Sequence, residues 1–306
     1  MLGLEVLSWV VLNKELKLIT YLSQVMKNIL ILFLTLVGLD LFAGGGWPQK
    51  KGEGYFKLGQ GMIRASHYYT PDGSVEDITT TSYYATFVYG EYGLTNRFTT
   101  VGYMPLVVRV TQNQVVDSET GDEIIPGDEL TSVGDATIGL KYGIIPSGKI
   151  VWSAQLDFKL PFGNDAGGES GLLQTGDGAF SQLIKTEVSS TKGNFYYSAM
   201  LGVRHRGNNY SDDWHSGLEI GWNKNKRFYA ILKMNSIQSF NNSEVLNAGN
   251  SLFGNNIEYV AIGPELHYFF KNNWGINATV VGAVQGENML ADPYFGVGIS
   301  YDLKKD

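Results

Sequence analysis

The 306-residue chain has no cysteine, so no disulfide holds its fold. That absence does not place it in a reducing compartment, because a protein facing the periplasm can do without bridges. It has no uninterrupted run of about eighteen apolar residues, which argues against a multi-helix membrane protein. Positive charge is also scarce: Lys and Arg number 23 against 30 Asp and Glu, for a formal net charge of -7. Nothing here is the basic footprint of a nucleic-acid binder, and an ordinary acidic surface accounts for the balance. Phosphate-loop chemistry is missing too, since GDG at Gly176 to Gly178 is too short for one and suits a turn instead. What the chain does contain is 38 Gly, 18 Tyr and 43% hydrophobic residues, a composition that fits one large domain or one closed barrel.

The clearest pattern lies between Asp135 and Leu160. Ala136, Ile138, Leu140 and Tyr142 alternate with Asp135, Thr137, Gly139, Lys141 and Gly143. After a turn at Pro146 to Lys149, Trp152, Ala154, Leu156, Phe158 and Leu160 alternate with Ser153, Gln155, Asp157 and Lys159. A strict period of two describes a β-hairpin with one apolar and one polar face, each arm long enough to cross a bilayer at a tilt. The same alternation recurs in Phe195 to Arg206, in Trp214 to Trp222 and in Tyr259 to Phe270. It blurs in Tyr55 to Tyr69, Thr79 to Tyr92 and Arg227 to Ser239.

Turn-forming residues divide the chain. Short connections fall at Gly93 to Asn96, Pro146 to Lys149, Thr191 to Asn194, Asn223 to Lys226 and Lys271 to Asn273. Long ones fall at Thr70 to Ile78, Thr111 to Thr131, Phe162 to Gly176, Gly207 to Asp213, Phe240 to Asn255 and Gly286 to Asp292. Alternating short and long connections imply about twelve antiparallel strands with both ends on the short-turn side, the layout of an outer-membrane barrel. The expected fold class is therefore all-β: a single antiparallel transmembrane β-barrel spanning residues 44–306. Aromatics near strand ends, among them Tyr92, Phe98, Trp152, Phe195, Trp222, Phe228, Phe270 and Trp274, suit a headgroup girdle. Pro264 cannot donate a ladder hydrogen bond and is expected at a local break or bulge.

Residues 26–43 open with Lys27, continue through an apolar core from Ile29 to Leu39 and end in small residues at Ala43 to Gly46. This is the form of a secretory signal peptide with cleavage after Ala43. Residues 1–25 are a leader of uncertain status, and Met26 is the expected true start. At the other end, Phe295, Val297, Ile299, Tyr301 and Leu303 alternate with Gly296, Gly298 and Ser300. Phe295, Gly296, Ile299 and Tyr301 look like the C-terminal signal read by the barrel-insertion machinery, and the strand is also suited to close the barrel.

Several stretches together resemble a family of outer-membrane barrels described as probable transporters of the meta-pathway of phenol degradation. They are EYGLTNRFTTVGYMPL at Glu91 to Leu106, VGDATIGLKYGII at Val133 to Ile145, FKLPFG at Phe158 to Gly163 and LQTGDGAF at Leu173 to Phe180. Gly263-Pro264 and FGVGISY at Phe295 to Tyr301 complete the set. The resemblance covers most of residues 44–306. It implies a barrel in the bacterial outer membrane that passes small solutes, hydrophobic or aromatic compounds among them. It assigns no phenol-binding residue.

Catalytic and metal chemistry find little support in the pattern. A lipid hydrolase needs a histidine base beside a serine on one face, whereas adjacent His215 and Ser216 point to opposite faces of a strand. The acids Asp117, Glu119, Asp122, Glu123, Asp128 and Glu129 crowd one loop, but their spacing is not that of a calcium loop. No cofactor is implied, and the only partners implied besides the insertion machinery are outer-membrane lipid and a small solute. Lumen-facing residues are the functional candidates: Lys141, Asp157, Lys159, Lys185, Glu187, Arg204, Arg206, Glu219, Lys233, Glu265 and His267. Carrying both signs, they either pair across a narrow interior or line a polar path. The first expectation is a passive, non-enzymatic channel. The alternative is a plugged structural or adhesive barrel with partner-binding outer loops, and an outer-membrane lipid hydrolase comes last.

Overall fold

The structure, a computed structural model, describes residues 45–243 and 253–304. The expected leader and signal peptide lie outside the described residues. Twelve long strands form the wall. They are β1 (Gly54–Tyr69), β2 (Val75–Gly93), β3 (Phe98–Gln112), β4 (Ala136–Ile145), β5 (Ile150–Leu160) and β6 (Ser181–Lys192). The second half comprises β7 (Phe195–Arg206), β8 (Asp213–Lys224), β9 (Phe228–Ser239), β10 (Glu258–Phe269), β11 (Trp274–Glu287) and β12 (Tyr294–Leu303). Each strand pairs antiparallel with the next. β1 pairs on both sides, Gly54 lying opposite Tyr92 of β2 and opposite Leu303 of β12, so the sheet closes without a free edge.

The alternation read from sequence becomes an inside and an outside. On β5, Trp152 and Leu156 are 41% and 38% exposed, whereas Ser153 and Asp157 between them are 0% and 3% exposed. Apolar side chains outward and polar ones inward invert the plan of a water-soluble protein. Left in water, each large apolar side chain would forgo about 1.5–3 kcal/mol of burial. A closed barrel satisfies its backbone internally, so hydrocarbon is the solvent that suits this surface. The barrel belongs in the bacterial outer membrane, and among the described residues no helix is long and apolar enough to cross one. Ring pairs Phe98–Tyr142, Trp222–Phe228 and Trp274–Tyr301 form an aromatic girdle at the short-turn end, with centroids 4.9, 6.2 and 5.1 Å apart.

The structure departs from the sequence reading in a few places. The loop expected at Thr70 to Ile78 is a five-residue turn, because β1 and β2 stay paired up to Tyr69 and Val75. Pro264 sits in regular register opposite Leu232, and the bulge lies earlier, between Val260 and Ala261. The extra residue there is Val284 of β11, between Ala283 and Gln285, so β10 keeps its alternation; Val260, expected on the apolar outer row, is nonetheless buried. On the β11 side the ladder skips Gly263 and Pro264, and a Cβ on Gly263 would lie 2.0 Å from the Val280 carbonyl oxygen. Glycine thus allows β11 to pack closely where the proline offers no N–H. The bulge opposite Thr86 and Phe87 leaves both Leu106 and Val107 of β3 exposed.

Among the described residues, segments outside the strands reach the interior, Phe253 and Gly254 ahead of β10 among them. The connection between β5 and β6 folds inward at the long-loop end, burying Leu173 against Ala85, Val108 and Val110. At the opposite end, the residues preceding β1 cross beneath the barrel mouth. The loop after β3 remains outside, where Asp128–Ser132 extends the wall along β3 and Val115–Val116 pairs with Glu123–Ile125.

Candidate functional site

Inward side chains gather into two polar layers. In the layer nearer the short turns, Lys141 of β4 lies 3.7 Å from Glu91 of β2 and 3.6 Å from Glu187 of β6. Lys185 bridges Asp157 of β5 and Glu187 at 3.4 and 3.6 Å. Across the barrel, Lys233 of β9 pairs with Glu265 of β10 at 2.5 Å, and His267 contacts the same carboxylate. Tyr196 donates its hydroxyl proton to Glu219, and Tyr89 donates to Glu91 at 2.5 Å. Such groups are tolerable out of water only when paired, and each carboxylate here has a donor or a cation beside it.

The layer nearer the long loops holds the inward-folded connection. Asp177 contacts Lys159 of β5 and accepts from the Arg206 guanidinium of β7 at 3.0 Å. Arg204 grips Asp213 of β8 at 2.6 Å, and His215 contacts the same carboxylate at 2.7 Å. Asp135, just before β4, lies 3.3 Å from Lys159 and accepts backbone N–H bonds from Gly163 and Asp177 at 2.9 and 3.1 Å. Burial works to raise the Asp177 carboxyl, but Lys159 and Arg206 outweigh it and hold the group below the usual range. Asp135 moves up: burial dominates, Lys159 opposes it, and Asp177 adds to it.

Between this layer and the barrel wall lies a cavity of about 220 Å³. Its rings are Tyr83, Phe87, Tyr103, Phe253, Tyr259 and Tyr294, and its charged edge is Lys159, Arg204 and Arg206 together with Asp135 and Asp177. A second space of about 60 Å³ in the lower layer touches Lys185, Glu187, Glu219 and Lys233.

All eleven candidate residues lie on the interior side of the wall, eight in the lower layer and Lys159, Arg204 and Arg206 in the upper. Sequence reasoning missed Lys57, Glu91, Asp135, Asp177 and Asp213, all buried. It missed as well the aromatic cavity and the amino-terminal crossing. Lys57 and Glu91 sit in two of the three strands whose alternation is blurred. There Ile63, Ala65, Ala85 and Phe87 occupy inner positions and Gln60 and Arg64 outer ones. The acidic loop is engaged in turn geometry, Asp117 accepting from the Glu119 and Thr120 N–H groups at 2.7 and 2.9 Å. Hydrolase geometry is not assembled at His215, which faces Asp213 while Ser216 faces away. At His67, Ser66 Oγ and Asp292 Oδ2 share one ring nitrogen, Nδ1, at 3.4 and 2.9 Å, and Nε2 lies 3.6 Å from Asp77 Oδ1, beyond hydrogen-bond reach.

Among solved structures, the chain is similar to an outer membrane channel from Pseudomonas putida F1. The identity is 10%, covering 86% of this chain and 100% of that one, with a TM-score of 0.60. The translocator domain of the autotransporter NalP from Neisseria meningitidis matches at 11% identity over 86% of this chain and 90% of that one, TM-score 0.48. A variant of the TodX monoaromatic hydrocarbon channel matches at 10% identity over 83% of this chain and 91% of that one, TM-score 0.47. At these identities the likeness speaks to the fold. A search of curated proteins returned no match. Residues 59–303, which take in the barrel wall apart from the first five residues of β1, match the family described as "Putative MetA-pathway of phenol degradation", and the chain belongs to that family.

Proposed function

We propose that the protein is a passive, non-enzymatic outer-membrane channel for small solutes, and that the aromatic cavity in its outer half is the solute's resting place. The cavity carries this reading. Its 220 Å³ exceeds the roughly 150 Å³ of an apolar cavity that holds benzene, so one aromatic ring fits. The charged edge is internally balanced, three cations against Asp135, Asp177 and Asp213, which favours a neutral solute over an ion. Arg206 Nε is buried without a hydrogen-bond partner at this edge, a donor available to a hydroxyl or carbonyl oxygen. The family description agrees with a small aromatic solute.

Planar-bilayer recordings with purified protein test this. Small-ion conductance should appear and be blocked in a dose-dependent way by phenol, and Ala85→Phe, which fills the cavity, should weaken the block. A folded barrel without conductance, or block unaffected by Ala85→Phe, would overturn it. The inward connection and the amino-terminal crossing favour a second reading, a plugged barrel whose outer loops bind partners. Deleting Asn113 to Gly127 separates the two: a binder loses its partner, while a channel changes mainly its conductance.

A further inference from the structure

The residues preceding β1 form a strap that runs from one wall of the barrel to the opposite one. Gly52 N–H donates to the Gly93 carbonyl at the end of β2 at 2.8 Å, and Lys51 N–H to Asn96 at 3.1 Å. Gln49 N–H then donates to Thr99 Oγ1 of β3 at 2.8 Å, while its side-chain amide reaches Glu91 at 3.0 Å. Trp47 meets Tyr196 of β7 edge to face with centroids 5.8 Å apart, and Gly46 N–H donates to Ser189 Oγ of β6 at 2.7 Å. Finally, the Lys141 ammonium, already between Glu91 and Glu187, donates to the Gly45 carbonyl at 2.9 Å.

In a closed ring of twelve strands β7 stands opposite β1, so Gly45 to Gly52 traverse the interior instead of following its rim. The fit is close. A Cβ on Gly93 would lie 2.0 Å from the Lys50 carbonyl oxygen, and one on Gly46 would lie 2.8 Å from that of Glu187. Gly45 adopts φ +54°, the left-handed backbone that favours glycine. Every anchor except Trp47 is a hydrogen bond to a polar group that water could replace, and none is covalent. Its two apolar side chains, Trp47 and Pro48, are only half-buried, and its release breaks no strand ladder, so it costs less than unfolding the wall.

We infer that Gly45 to Lys51 is a tethered gate across the short-turn, periplasmic end of the channel, latched by Lys141 and Ser189 and released without unfolding any strand. This rests on the channel reading, which places a conducting path through the same interior. The strap and the inward connection close opposite ends, so solute entering the aromatic cavity leaves toward the periplasm only when the strap swings aside on its attachment at Glu53.

The test uses two variants of the full chain, each checked for a folded barrel by heat-modifiable gel mobility. One deletes Gly45 to Gln49. The other carries Gly46→Cys with Ser189→Cys; the natural chain has no cysteine, so the disulfide formed is unambiguous. A Cβ on Gly46 lies 3.1 Å from Ser189 Oγ, a separation compatible with bridging once the Glu187 carbonyl shifts slightly. Deletion should raise single-channel conductance at least roughly tenfold over wild type. The oxidised pair should conduct at or below wild type and conduct more on reduction, when neither the bridge nor the Ser189 latch remains. Deletion without effect in a wild type that conducts would overturn the gate and leave the channel reading standing. Failure of the cysteines to join in the folded barrel would overturn the strap's position. If wild type and deletion are both silent while the disulfide forms, the channel reading falls and the gate falls with it.

Discussion

Replacing Arg206 by alanine cuts the tie between the barrel wall and the connection that folds into its outer end. Three contacts disappear. The guanidinium donates to Asp177 at 3.0 Å, approaches the Gly254 carbonyl at 3.5 Å and lies 4.2 Å from the Tyr210 ring centroid. A charge-assisted hydrogen bond is worth about 1.5–3 kcal/mol and a partly buried cation–π contact about 0.5–2 kcal/mol. An abandoned buried charge would cost about 3–5 kcal/mol, but Asp177 keeps Lys159, so that full penalty is not reached. Tyr210 and Gly254 belong to other loops, so only the Asp177 bond holds the connection itself, and a loss of about 1.5–3 kcal/mol in closing it is the expected result, equal to roughly 12- to 160-fold more of the detached form. Chymotrypsin reads that population, because Leu173 is 1% exposed while docked and cleavage after it requires release. The Arg206→Ala barrel should be nicked there faster by at least roughly the lower factor, with the wall still folded. Unchanged cleavage in a folded variant would refute the claim that this arginine holds the connection down.

Three further outcomes follow from the same contacts. Ile220→Arg places a charge on the outer face of β8 and should cost about 2–4 kcal/mol in vesicle refolding titrations if it lies near mid-bilayer, whereas a soluble barrel would show almost no cost. Lys233→Met leaves Glu265 with a weaker partner and should destabilise by about 3 kcal/mol; adding Glu265→Leu should recover most of it, and a double-mutant cycle measures the coupling. Acid should leave the inward connection docked from pH 7 down to about 4 and release it only below that, as followed by the same proteolysis with an acid-tolerant protease. The sign follows from both carboxyls. Asp177, lowered in the fold, contributes stability above the free-aspartate pKa and loses it as pH falls through its own lower value. Asp135, raised in the fold, gains a proton earlier, which favours the docked state.

Much of the wall was legible in the chain because a strand with oil on one side and polar groups on the other must alternate. β4, β5, β7 and β8 show that pattern residue by residue, and their inward charges follow from parity alone. Parity failed in β1 and β2 for a physical reason. Of their inner positions, Ile63, Ala85 and Phe87 are apolar because they line the aromatic cavity and Ala65 because it packs in the cluster beside it, so neither face reads as polar. Local rules break where the interior is specialised, and the blur itself was the available signal of a site. At β10 the alternation runs on through the bulge, because the extra residue there is Val284 of β11.

The amino-acid sequence by itself determined the class of fold, the number of strands, the alternation of short and long connections and the inward charges of the strands that alternate cleanly, since each depends on neighbours within one strand or one turn. Tertiary structure alone decided which charges meet, what space they leave and what crosses it. Asp177 reaches Arg206 from a different part of the chain, and Gly46 reaches Ser189 across the barrel. Contacts of that kind exist only after β1 has closed on β12 and brought distant segments to opposite sides of one small interior.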